Sequence, residues 1–234
     1  PETETIIDES LKIFCNKKNN LKILDIGTGS GAIAISLARE FENADILAID
    51  ISEDAIKIAN KNITDKKLHN QIKLKKTTIR KINEKFDLIV SNPPYIATKE
   101  LENLSLEIRN FEPFVSLDGG EDGLNFYREF AKKIPQIMKS NAYFIIEIGA
   151  KQYDDCREIF SVSSLKFQKK TQDLQKKDRI IVFSKLSLNN CIPIFPDICV
   201  LFHWMLYVDC VAQDSLPFGV KTVMLGDWVS WIEK

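Results

Sequence analysis

Short apolar runs alternate with stretches of helical spacing along the chain from residue 21 to residue 184. Leu21–Ile26 is apolar, ends in Asp25-Ile26-Gly27, and reads as a buried strand. Gly31–Phe41 has the spacing of a helix, Asp45–Asp50 reads as a second strand, and Glu53–Thr64 as a second helix with Ser52 as its N-cap. Gln71–Lys75 is a weaker third strand and Phe86–Ser91 a strong fourth. Asn92–Asp118 has little periodicity and reads mostly as loop. Gly123–Lys139 is helical, with Pro135 expected to kink it or end it early. Tyr143–Ile148 is a fifth strand and Lys151–Phe160 another helix. Leu165–Lys169 and Arg179–Ser184 close the series as an antiparallel hairpin. Strands alternating with helices predict an α/β sandwich around a mostly parallel, seven-stranded sheet. Ligands of such sheets sit at the carboxyl ends of the strands.

Composition changes this picture at one place. Residues 1–185 hold 30 of the 32 basic residues and no tryptophan, and carry a net charge of +2. Residues 186–234 carry −3, with Trp204, Trp228 and Trp231 and three of the five cysteines. A boundary near Leu186 is therefore expected, with a domain at 1–185 and a tail at 186–234. The overall charge of −1 argues against binding nucleic acid through bulk positive charge. Lys73–Lys76 and Lys166–Lys177 read as solvated faces. The longest apolar stretch, Ile198–Val208, contains His203 and is too short to span a bilayer. An acidic opening, Pro1-Glu2-Thr3-Glu4, lacks the marks of a secretory signal, and five cysteines without a Cys-x-x-Cys pair argue against a disulfide framework. The cytoplasm is the expected compartment. The spacing of Cys191, Cys199, His203 and Cys210 fits no common metal site, and no metal is expected.

Two motifs carry chemistry, and both fall at carboxyl ends of strands. The first is Gly27-Thr28-Gly29-Ser30-Gly31, between the first strand and its helix. Glycines there permit a tight turn and close backbone approach to a ligand, and the helix N-terminus offers free N–H groups. Asp50 ends the next strand, about 20 residues on, where a carboxylate can accept both hydroxyls of a ribose. The same spacing fits a dinucleotide fingerprint, so the ligand stays open at this point. No Gly-Lys-Ser/Thr follows, which excludes a phosphate-binding P-loop.

The second motif is Asn92-Pro93-Pro94-Tyr95, after the strongest strand. Two prolines stop the strand, fix the backbone and remove donors. What remains are acceptors, the Asn92 side-chain oxygen and the Pro93 carbonyl. Two rigid acceptors suit a planar –NH2 group. Tyr95 adds an aromatic face for a planar group or a cation. The plain alternative is a polar turn, which needs no aromatic after Pro-Pro.

Together the motifs resemble the class I S-adenosylmethionine-dependent methyltransferases that alkylate planar –NH2 nitrogens. Further residues narrow the likeness. Pro1-Glu2-Thr3-Glu4, the run Phe86–Ile96, Glu112-Pro113, Leu117–Leu124, Glu147-Ile148-Gly149 with Gln152, and Asp178-Arg179 occur in the order seen in the release-factor N5-glutamine methyltransferases (the HemK/PrmC family). The resemblance covers about residues 1–185. It implies a Rossmann-like fold and S-adenosylmethionine as cofactor. Gly27, Thr28, Gly29, Ser30 and Gly31 would line the amino-acid end of that cofactor, Asp50 would hold its ribose, and Thr78 would lie on the adenine side. Asn92 would also border the cofactor, and Asn92, Pro93, Pro94 and Tyr95 would hold the substrate amide. That amide would be the glutamine of the Gly-Gly-Gln loop of peptide chain release factors. The reaction so implied would be in-line transfer of a methyl group, helped by positioning and charge relief and needing no strong general base.

The resemblance has gaps. Members of that family carry an N-terminal helical domain that helps dock the release factor, whereas this sequence opens inside a family motif. The weaker docking expected from this leaves open whether the chain works alone. Residues 186–234 match nothing in the family. Two other functions remain: an amino-group methyltransferase of nucleic acid (adenine-N6 or guanine-N2), which should show a basic groove or a target-recognition domain, and a truncated, non-catalytic remnant.

Overall fold

A computed structural model describes residues 2–103, 116–173 and 175–185. Elements alternate in chain order: α1 (Glu2–Ile13), β1 (Lys22–Ile26), α2 (Ala32–Glu40), β2 (Asp45–Asp50), α3 (Glu53–Asp65), β3 (Ile72–Lys76), β4 (Phe86–Ser91), α4 (Asn125–Ile137), β5 (Met138–Glu147), α5 (Tyr153–Ser161), β6 (Leu165–Gln172) and β7 (Asp178–Lys185). The strands form one seven-stranded sheet in the order β3-β2-β1-β4-β5-β7-β6. The first five run parallel, and β7 pairs antiparallel with β5 and β6. The expected sheet, including its terminal hairpin, is the one observed.

The central strands are apolar on both sides because helices cover both. Leu24, Ile89, Phe144, Ile146 and Phe183 pack on one face with Tyr127, Phe130 and Ile134 of α4 and Phe160 of α5. Ile23, Ile46, Leu88, Val90 and Ile145 pack on the other with Ile6 of α1, Leu37 of α2 and Ile63 of α3. Successive strand residues point to opposite faces, so a run such as Leu88-Ile89-Val90 feeds both cores. Ser52 caps α3 as expected, its side chain accepting the Ala55 N–H at 3.2 Å.

Three details differ from the expectation. The helix α4 continues past Pro135 to Ile137. Its buried Ile134 and Ile137 anchor the last turn, and the Lys185 ammonium donates to the Pro135 and Met138 carbonyls at 2.7 and 3.0 Å. Strand β5 then begins at once, with Met138 paired to Phe86 and the register shifting before Tyr143 pairs with Leu88. Polar Lys139-Ser140-Asn141, with Asn141 at φ 61°, masks this early start in the hydrophobic pattern.

The third difference is α1, a helix that the hydrophobic periodicity does not reveal. Its inward face includes Glu9 and Ser10, at 1% and 0% exposure, beside Ile6. Two polar residues at core positions break the apolar periodicity. Ser10 is satisfied by its own helix, donating to the Ile6 carbonyl at 2.8 Å. Glu9 receives the ammonium of Lys12 at 2.9 Å and that of Lys169 from β6. Burial works against ionisation of Glu9, but the two lysines outweigh it and hold the carboxyl below its ordinary value.

A depressed carboxylate pKa adds stability above the unfolded-state value, and this is lost as pH falls through the folded one. We therefore expect Glu9→Gln to lower stability by about 1–3 kcal/mol near neutral pH, where a buried charged hydrogen bond is lost. The deficit should shrink as pH falls from the ordinary carboxylate range towards the depressed folded value, where the wild-type carboxyl takes up its proton. Paired thermal melts at pH 7.5 and 3.5 measure this, and an equal deficit at both would assign the cost to packing instead.

Candidate active site

Strand register assembles the site. Ile26 of β1 pairs with Ile49 of β2 on one side and Ser91 of β4 on the other. The residues that follow, Gly27, Asp50 and Asn92, therefore emerge side by side at one end of the sheet. Ser91 fixes this alignment, its buried hydroxyl donating to the Ile26 carbonyl at 2.9 Å. Thr78 follows β3 at the same end of the sheet and is exposed. Its neighbour Thr77 donates its N–H to the Asp50 carbonyl at 2.9 Å.

The glycine loop is a backbone cradle. Gly27, Gly29 and Gly31 lie at φ 71°, 55° and 83°, a region that other residues rarely enter. A Cβ on Gly27 or Gly29 would meet nothing within 4 Å, so the loop faces open space where a ligand can approach the backbone. The Gly27 and Thr28 amides donate to the Ile49 carbonyl at 2.9 and 3.0 Å, which docks the loop on β2. Asn62 of α3 donates to the Ser30 carbonyl at 2.9 Å. Asp50 closes the loop from the side: its carboxylate accepts the Gly29 N–H at 3.0 Å and the Ser52 N–H at 2.9 Å through separate oxygens. Each oxygen keeps a second lone pair for a ligand hydroxyl. This chemistry fits a ribose. Ile51, immediately after Asp50, is 53% exposed and offers an apolar surface beside it. Ile51 is absent from the site expected on sequence, where its only signal is an apolar residue just beyond the strand end.

Asp25 lies beneath the loop, fully buried, accepting the Thr28 hydroxyl at 2.7 Å. Burial pushes its carboxyl up to about 6, Asp50 adds to the rise, and the Thr28 hydroxyl and the Ala34 amide oppose it.

The proline corner is clamped by the glycine-rich segment. Ile96 donates its N–H to the Leu117 carbonyl at 3.1 Å and accepts the Gly119 N–H at 2.8 Å, and Thr98 N–H reaches the Gly120 carbonyl at 2.9 Å. Asp118 accepts the Thr98 hydroxyl and the Gly120 N–H at 2.8 and 2.9 Å, so this acid serves the turn. A Cβ on Gly123 would sit 2.5 Å from the Tyr95 carbonyl, so only glycine allows the two segments this close. Pro93 is buried, while Asn92, Pro94 and Tyr95 are partly exposed. The Tyr95 hydroxyl lies 3.5 Å from the buried Glu147 carboxylate at the end of β5. Glu112 and Pro113, part of the sequence resemblance, lie outside the described residues, as do Cys191, Cys199, His203, Cys210 and the whole 186–234 stretch. Among the described residues no helix is long and apolar enough to cross a membrane, and no His, Cys, Asp and Glu side chains gather as a metal-ligand set.

A glycine-rich backbone cradle thus stands beside a proline-rich corner at one end of the sheet. Residues 17–179 match the family model described as "Methyltransferase domain", and the chain belongs to that family. Among curated relatives, it is 41% identical over 170 residues to the "Bifunctional methyltransferase" of Rickettsia felis, spanning 72% of this chain and 32% of the relative. It is 36% identical over 189 residues to the "Release factor glutamine methyltransferase" of Agrobacterium fabrum, spanning 79% of this chain and 65% of that one. The chain thus spans about a third of the first relative's length and just under two thirds of the second's. Among solved structures, the release-factor-specific protein-(glutamine-N5) methyltransferase of Alicyclobacillus acidocaldarius aligns with TM-score 0.50 and 24% identity, over 80% of this chain and 93% of that one. That likeness bears on the fold alone.

The raised pKa of Asp25 gives a stability test. A carboxyl raised from 3.8 to about 6 stabilises the fold fully below the unfolded value and loses that contribution as pH climbs through the folded one. Asp25→Asn should therefore gain up to about 3 kcal/mol over wild type at pH 7.5, and nothing below pH 4. Thermal melts across that range would refute the assignment if the variant were less stable at pH 7.5.

Proposed function

We propose that this chain transfers a methyl group from S-adenosylmethionine to the side-chain amide nitrogen of a glutamine, the glutamine of the Gly-Gly-Gln motif of peptide chain release factors. The observation that carries this reading is the strand register that sets Asn92 and Pro93, directly after β4, beside the glycine cradle and Asp50. The relatives' shared description as methyltransferases, one of them acting on release factor glutamine, supports it. The reading includes a cytoplasmic location and treats residues 186–234 as a separate tail.

When bound, S-adenosylmethionine supplies an electrophilic methyl on a sulfonium. Gly27–Gly31 receive its amino-acid end, Asp50 the ribose hydroxyls, and Ile51 with the Thr77-Thr78 segment the adenine side. Asp25 and Asp50 place negative charge near a cationic cofactor. An amide nitrogen is a poor nucleophile because its lone pair is delocalised into the carbonyl. The Asn92 oxygen and the Pro93 carbonyl accept its two N–H bonds, draw it away from planarity and aim it. Tyr95 packs against the arriving side chain. The proton leaves after transfer, so no strong base is needed.

A nucleic-acid amino group would present the same two N–H donors. The cleft of about 800 Å³ beside α4 is lined by Arg80, Arg128, Lys132 and Lys133, but also by Glu129 and Asp118. Arg80 is paired with Glu129 and Arg128 with Asp122, so much of its positive charge is already matched. This favours a protein acceptor over a phosphate backbone.

Two measurements test the reading. Asp50→Ala should weaken S-adenosylmethionine binding by about 1–3 kcal/mol in calorimetry, through loss of hydrogen bonds to the ribose. Selective binding of a nicotinamide dinucleotide in its place would overturn the cofactor assignment. Asn92→Ala should leave cofactor affinity near normal but slow radiolabelled methyl transfer to a release factor about a hundredfold, the effect of losing roughly 3 kcal/mol of transition-state hydrogen bonding. A release factor whose Gly-Gly-Gln glutamine is replaced should take no label. Label entering nucleic acid instead would refute the proposed substrate.

A further inference from the structure

The proline corner is held by more than the segment next to it. Gln152, which opens α5, reaches under it with all four hydrogen-bonding positions of its amide engaged. Its Nε2 donates to the Tyr95 carbonyl at 2.9 Å and the Gly123 carbonyl at 3.3 Å. Its Oε1 accepts the Gly149 N–H at 3.0 Å and the Tyr127 hydroxyl at 3.3 Å. The Tyr127 hydroxyl also lies 3.4 Å from the Glu147 carbonyl. The amide orientation is fixed by these partners, since a flip would set an oxygen against two carbonyls and an NH2 against an N–H. One side chain thus joins four backbone segments: the corner after β4, the glycine-rich segment before α4, the end of β5 and the start of α5. Only a carboxamide supplies two donors and two acceptors in one plane, and asparagine is a methylene shorter. Glutamate, the same size, would bring a negative charge to face two carbonyl oxygens.

We propose that Gln152 is a positioning residue for methyl transfer: its amide sets the backbone of Tyr95, and through it the placement of the Asn92 and Pro93 acceptors relative to the glycine cradle. The proposal rests on the amide-methylation reading above for its kinetic consequence. Gln152 touches none of the reacting atoms. It acts on orientation, where small displacements change rates strongly. It makes no hydrogen bond to the Gly27–Gly31 loop or Asp50, so its loss should spare the cofactor.

The test uses the full chain with Gln152→Glu and Gln152→Met. Tritiated S-adenosylmethionine is the donor and a release factor bearing Gly-Gly-Gln the acceptor. Both variants should bind the cofactor within about twofold of wild type and show kcat reduced at least tenfold, with a smaller change in KM. The pH profile separates them. The carboxyl introduced by Gln152→Glu regains one donor when it is protonated. The Gln152→Glu rate, taken as a fraction of wild type, should therefore rise as pH falls, while the Gln152→Met fraction should stay flat. The groups facing this amide are Tyr95, Tyr127, Glu147 and, one turn along α5, Cys156; all are common to the three proteins and cancel in the ratio. A Gln152→Glu protein at the wild-type rate overturns the proposal. So does a pH-independent deficit shared by both variants together with lost cofactor binding, which would mark general destabilisation. If wild type itself leaves the release factor unlabelled, the amide-methylation reading fails separately. Amide hydrogen exchange then judges Gln152 alone: faster exchange at Ile96, Thr98 and Gly119 in Gln152→Glu, with β1 and β2 unchanged, supports the positioning role, and unaltered exchange overturns it.

Discussion

The alignment of β1 between β2 and β4 governs everything at the carboxyl end of the sheet. In a parallel sheet a shift of one residue would turn each side chain to the opposite face and move every following loop by about 3.3 Å. Ile26 opposite both Ile49 and Ser91 is therefore the condition under which a glycine loop, a carboxylate and a proline corner share one opening. Two kinds of contact protect it. Apolar side chains on both faces fix which residues point where, and the buried Ser91 hydroxyl, tied to the Ile26 carbonyl, adds a directional bond that tolerates no slip.

Around that alignment the protein places its buried polar groups where position matters more than stability. Asp25 sits in the interior with a carboxyl pushed up by burial, a cost borne directly under the cradle. Tyr127 and Gln152 share a hydrogen bond beneath the corner, with Glu147 beside them. Glu9 and Ser10 are the exception: they belong to α1 and serve to satisfy that helix and join it to β6. The Gln152 amide, engaged at every position, stiffens the corner because each partner restricts the next. The corner therefore stands on a framework set before any acceptor arrives.

What can be read from the sequence follows from how local the signal is. The central strands are legible because they are nearly continuous apolar runs, β3 and β6 less so because their apolar residues alternate with polar ones, and the cradle and corner because glycine and proline act on their own backbone. Thr78 is legible only as a place, since the hydrogen bond that ties that segment to Asp50 belongs to Thr77. Gln152 is marked in the sequence only by the resemblance it shares with Glu147-Ile148-Gly149, and its partners lie up to 57 residues away. Nothing nearby marks it as a brace. Helix α1 is obscured for the opposite reason, because Glu9 and Ser10 occupy core positions that a periodicity reading expects to be apolar.

The position of β7 has a consequence for how the chain comes together. It is the last of the seven strands in sequence but lies inside the sheet, between β5 and β6. Until Asp178–Lys185 has been made, β5 has an open edge and β6 has no neighbour in the sheet. Open edges of this kind invite pairing with other chains. The sheet therefore cannot finish vectorially, strand after strand, as the chain leaves the ribosome. Completing it requires the eight residues of β7 to enter between β5 and β6.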